Sequence, residues 1–179
     1  MPINTMQDLF VHSLRDMYHA EKQLVRAMPK MAKAAQHQEL RQAIEEHLEQ
    51  TKNQVERLNQ VFEAIDVAAR GVRCEAIEGL VEEAKETMDE VQDPEVRDVA
   101  IIVAAQKVEH YEIAAYGSLR TMAEMLGHTE AAQLLEQTLE EEKQTDQKLN
   151  QLALSRVNKD AASGGRGGAK RGGSAQAAR

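Results

Sequence analysis

Ala104-Ala105-Gln106-Lys107-Val108-Glu109-His110-Tyr111-Glu112-Ile113-Ala114-Ala115-Tyr116-Gly117 is the stretch on which the fold is decided. Ile102, Ala105, Gln106, Ile113, Leu119 and Ala123 recur around it at spacings of three and four, which makes it one face of a long helix. Glu109 and Glu112 stand on that same face, three apart and therefore neighbours, with Tyr116 four further on. Acids on an amphipathic helix belong on its solvent side. Here two of them point where the core should be. The helix opens at Asp93-Pro94, an N-cap acid followed by a first-turn proline, and stops at Gly127.

Working outward, the chain supplies three more long helices. The first begins near Thr5, which can cap its first turn, with Asp8 adding negative charge there. Its inner face is Phe10, Leu14, Met17, Glu21, Leu24, Met28 and Met31, and Pro29 predicts a bend because it removes the hydrogen bond to Val25. After a short turn at Gln36–Gln38 the second helix shows Leu40, Ile44, His47 or Leu48, Thr51, Val55, Leu58, Phe62 and Ile65. Residues Asp66–Asp93 form a long connection with a helix of its own, marked by Ile77, Leu80, Val81, Ala84, Met88 and Val91. The last helix starts near Thr129 and presents Leu135, Thr138, Glu142, Thr145, Leu149 and Leu152. Two tight helical hairpins joined by a long crossover predict an all-α four-helix bundle over residues 1–158. Where residues 74–91 dock is left open.

Glu21 and Glu142 repeat the anomaly of Glu109 and Glu112, each on the apolar register of its helix. Counted from the two tight turns, Glu21, Glu112 and Glu142 all lie about 15 residues along their helices, which puts them within one or two turns of a common level. Carboxylates converging in a low-dielectric core repel unless protonated or paired with cations. A metal ion solves this, and oxygen ligands suit iron or manganese.

The Glu109-His110-Tyr111-Glu112 run with Tyr116 downstream resembles that of rubrerythrins, in which two such carboxylates serve a di-iron site. More of the chain is similar to the YciE/YciF family of ferritin-like stress proteins. The resemblance is carried by Leu14–Leu24 (LRDMYHAEKQL), Cys74–Glu83 (CEAIEGLVEE), Ala104–Gly117 and Leu139–Leu149 (LEEEKQTDQKL), and spans roughly residues 3–159. It implies a ferritin-like bundle, a homodimer and a link to stress responses. The usual di-iron pattern sets one Glu on the first and third bundle helices and Glu-x-x-His on the other two. This chain departs from it: the second helix offers His47, Gln50, Thr51 and Gln54, and the last offers Glu142 and Asp146 without histidine. The candidate ligands are therefore Glu21, His47, Glu109, Glu112, Glu142 and Asp146, with Tyr116 behind them as a supporting donor.

The remaining features are blander. His110 falls beside the inner face and reads as a surface or interface side chain. The single cysteine, Cys74, excludes an internal disulfide, fits a reducing compartment and reads as a small packed side chain. Met6, Met17, Met28, Met31, Met88, Met122 and Met125 read as core filler. No apolar run is long enough for a membrane helix and the first residues are too polar for a secretory signal, so a cytoplasmic protein is expected. The 179 residues carry a net charge of −8. That average conceals six bases and one acid within residues 156–179, leaving a body of formal charge −13. Residues 159–179 are Gly-rich and predict disorder. Their bases attract phosphate without reading sequence, so weak, nonspecific nucleic-acid binding is one expectation for the tail. Three functions are open to the sequence: a metal protein handling peroxide, O2 or iron; a non-catalytic dimeric bundle with vestigial carboxylates; and a tether to nucleic acid.

Overall fold

A computed structural model describes residues 2–164. Helix α1 (Met6–Ala34) opens on Thr5, whose hydroxyl accepts from the Asp8 amide while the Asp8 carboxylate accepts from the Thr5 amide, both at 3.0 Å. This reciprocal cap satisfies two amides that a helix start otherwise leaves open. α1 then runs on through Pro29, which lies on its exposed side. The other helices are α2 (Gln38–Ala64), α3 (Glu75–Glu90), α4 (Pro94–Met125) and α5 (Thr129–Leu152). A π-helical turn, Ala153–Val157, leads into α6 (Asn158–Gly164).

α1 packs on α2, α2 on α5, α5 on α4 and α4 on α1, which closes a square with α2 and α4 on one diagonal. The crossover spans that diagonal. Its helix α3 docks on α4 and α1, which settles the position of residues 74–91. The core is built from Phe10, Leu14, Met17, Leu40, Leu58, Phe62, Ile102, Leu119 and Leu135, all nearly inaccessible. Gly127 ends α4 at φ +78°, a left-handed turn that glycine adopts without strain.

Two expectations need correction. The tail does not lose its structure at residue 159: Leu152, Ala153 and Val157 are buried, α6 packs against α4, and the helix carries the chain to Gly164. Residues 165–179, where the rest of the expected disorder and four of the five bases expected to contact nucleic acid fall, lie outside the described residues. Met6 and Met125 are not core filler, being 43% and 71% exposed near helix ends.

The N-terminus of α2 is closed from a distance. His37 precedes α2 without a capping side-chain bond of its own. Asp98 of α4, only 3% exposed, instead accepts from the amides of Gln36 (2.8 Å) and His37 (2.7 Å). A buried carboxylate bonded to two amides fixes the α1–α2 turn against α4. Asp98→Ala is expected to cost about 2–3 kcal/mol, because it strands two amides and opens a gap; urea unfolding measures it.

Candidate metal centre

The helical register that buries Leu14, Met17 and Leu24 also buries Glu21, which is 0% exposed. On α2 the inward residues are His47, Thr51, Gln54 and Leu58, at spacings of four, three and four. On α4 they are Glu109, Glu112, Tyr116 and Leu119, and on α5 Leu135, Thr138, Glu142 and Leu149. All four bundle helices thus send a polar side chain to the same level.

His47, Glu109, Glu112 and Glu142 each bring one ligand atom to a group whose atoms lie within 4.8 Å of one another, and all four are buried. His47 Nε2 stands 3.2 Å from a Glu109 oxygen and 3.8 Å from a Glu142 oxygen. Neither approach has hydrogen-bond alignment. Behind this nitrogen, Thr145 Oγ1 lies 3.3 Å from His47 Nδ1 and donates its own proton to the Glu141 carbonyl. The hydroxyl can therefore only accept from Nδ1–H, which leaves the Nε2 lone pair of the neutral ring turned toward the carboxylates.

Glu21 stands beside the group rather than within it, its Oε1 accepting from the Tyr116 hydroxyl. Asp146 is not brought in. One turn beyond Glu142 it is partly exposed, receives the Gln106 amide at 3.3 Å and lies 3.4 Å from His110, itself at the surface. The residue that periodicity undervalued is Gln54. The sequence puts Val55 on the inner stripe, but Gln54 is the buried one and donates to Glu142 Oε1 and, at 3.0 Å, to Glu141. Arg57 holds Glu141 through two parallel bonds of 2.8 and 2.9 Å and donates to Thr138, so α2 and α5 are joined directly beside the group.

The electrostatics follow from burial. Loss of water pushes Glu21 up to about 7, against the Tyr116 hydrogen bond and His47, which pull it down. Glu112 is raised further, by burial first and then by the charges of Glu21, Glu142 and Glu109. Glu142 rises through burial and Glu109. Burial alone would lower His47, but Glu109 and Glu21 outweigh it and shift it upward. A metal-free site therefore holds its protons to higher pH than free carboxyls do.

Glu21 Oε2, His47 Nε2, Gln54 Oε1, Glu109 Oε2, both oxygens of Glu112 and Glu142 Oε2 are buried without a hydrogen-bond partner. Buried polar atoms in folded proteins are nearly always satisfied, so this concentration at one point favours a positively charged partner. The donors, carboxylate oxygen and imidazole nitrogen, fit a hard or borderline divalent metal.

Known proteins share this arrangement of chain. Protein YciF of Escherichia coli strain K12 is 52% identical over 162 residues, covering 90% of this chain and 98% of its own. The solved structure of the E. coli stress protein YciF matches with a TM-score of 0.84 over 88% of this chain and 99% of that one, at 52% identity. YcfI of Rhodopseudomonas palustris, a candidate structural protein, matches with a TM-score of 0.82 at 49% identity, over 83% and 94%. Residues 5–162 match the domain of unknown function DUF892. The chain therefore belongs to the DUF892 family, as a relative of E. coli YciF.

Proposed function

We propose that this protein is a metal-carboxylate protein of the stress response, holding iron or manganese between His47, Glu109, Glu112 and Glu142, with Glu21 beside them. The observation that carries the reading is the set of unpartnered buried oxygens and nitrogens converging at mid-bundle. A redox-active ion held there supplies electrons for chemistry on O2 or peroxide. The chain's own residues prepare the site. Tyr116 fixes Glu21 through one oxygen and leaves the other free, and Gln54 does the same for Glu142. Thr145 orients His47. Such supporting bonds hold ligands in place before the ion arrives.

Protein purified without chelator, then titrated anaerobically with ferrous and manganous ion, should bind at least one ion per chain, and Glu109→Ala should weaken that binding at least tenfold. A wild type that takes up neither ion, with unchanged unfolding, sinks the metal reading.

Gln54 supports a second reading. An amide stands on α2 where the usual di-iron pattern sets a ligand, so the site can also be a relic within a non-catalytic bundle. That reading requires the metal-free outcome of the same titration.

A further inference from the structure

A partly enclosed cavity of about 260 Å³ enters the bundle between α2 and α5. Leu24, Met28, Ile44 and Leu149 wall it, all buried and apolar. Its inner end is formed by His47 and Glu109, the edge of the carboxylate group. Its mouth lies at exposed Glu46 and Lys148, which pair with each other across the seam. Protein interiors are normally packed to the density of organic crystals, and a gap of this size is ordinarily filled by larger side chains. Here the wall carries Ala43 and Ala105 instead.

We propose that this cavity binds a small, largely apolar organic molecule of about ten non-hydrogen atoms with one uncharged polar group, such as a hydroxyl, at its inner end. The size follows from the volume: a dry apolar cavity of roughly 150 Å³ holds benzene, with six carbons, so about 260 Å³ holds roughly ten atoms. The polar group follows from what it meets. His47 and Glu109 form the inner end, polar side chains that a hydroxyl can meet without adding charge. An anionic head would face carboxylates in the metal-free site, and a cationic head would face the ion in the loaded one. The mouth pair has no net charge and favours neither. That the inner group would confront a metal rests on the metal reading; binding in the cavity does not.

The test uses the full chain, metal-free, with methyl-13C methionine and 1-octanol as probe. The resonances of Met28 and Met31, which line the cavity, should shift and saturate at one octanol per chain, while exposed Met125 stays fixed. Ala43→Leu and Ala105→Leu, on different helices, each fill the space and should weaken octanol at least tenfold. Glu112→Gln, which removes a ligand outside the cavity, should leave octanol binding intact while abolishing ion binding, so the two readings fail separately. Octanoate and octylamine should both bind more weakly than octanol. No saturable shift at Met28 and Met31 in the wild type overturns the proposal whatever the variants do. So do shifts spread over all the methionines, equal binding by folded filled variants, or a preference for octanoate or octylamine.

Discussion

Stripped of metal at pH 7.5, the Glu112→Gln protein should be more stable than the wild type by about 1–3 kcal/mol, the range set by an uncompensated buried charge. Glu112 is 1% exposed, neither of its oxygens has a partner, and Glu21, Glu109 and Glu142 surround it. Glutamine keeps the shape, removes the charge and adds two donors among carboxylates that lack them. The sign depends on pH. A carboxyl whose folded pKa is raised contributes its full stability below the unfolded value and loses it as pH climbs through the folded one. For Glu21 that window runs from the ordinary 4.5 to about 7. At about 1.4 kcal/mol per unit, this one group takes roughly 3 kcal/mol from the metal-free wild type across it. The advantage of Glu112→Gln should therefore nearly vanish at pH 4.5 and grow toward pH 8. Urea midpoints at the two pH values measure it. Equal midpoints at pH 7.5 would mean that the carboxylates already reach water.

Ferrous or manganous ion should then reverse the order of the two proteins. At a free concentration of about a hundred times Kd, an ion that binds only the folded state adds roughly 2.7 kcal/mol to the wild type. The Glu112→Gln protein, with a ligand removed, should gain little. The raised carboxyls must shed their protons before they can ligate, so loading releases protons and apparent affinity rises steeply between about pH 5 and 8. Calorimetry in buffers of different ionisation enthalpy counts those protons. Identical metal-induced shifts in both proteins would place the ion elsewhere, on exposed acids.

Much of this was legible in sequence because helical period and burial are the same information. Glu21, Glu109, Glu112 and Glu142 sit on apolar registers, and the fold buries all four. α2 was harder to read. Its stripe is interrupted by His47, Thr51 and Gln54, so apolarity alone chose Val55 over Gln54, a rotation of one residue. Asp146 misled through its spacing: four residues past Glu142 suggests one face, but at the next turn the side chain meets Gln106 and His110 instead. The Asp98 cap had no local signal, since its partners lie 61 and 62 residues away. α6 was hidden by its composition, because a segment of small and polar residues reads as disordered, yet it lies beside α4.

The strapping of the crossover has a mechanical consequence. Its backbone donates from Val72 to the Arg15 carbonyl and from Cys74 to His19 Nδ1, while the Cys74 sulfur meets the Tyr111 hydroxyl, which in turn holds Asp16. With α3 laid over them, α1 and α4 are riveted along their common edge. Among the described residues the opposite edge, between α2 and α5, has no such strap; Gln54 and the part-buried Arg57 hold it at mid-bundle, and at the cavity mouth it is crossed by the half-exposed Glu46–Lys148 pair, and solvated pairs of this kind hold weakly. The α2–α5 seam is thus weakest at its Glu46–Lys148 end, beyond the Gln54 and Arg57 bonds at mid-bundle. Backbone amides of α2 and α5 near the mouth should exchange with deuterium sooner than those of α1 beside the strap. That end is where the cavity lined by His47 and Glu109 meets solvent.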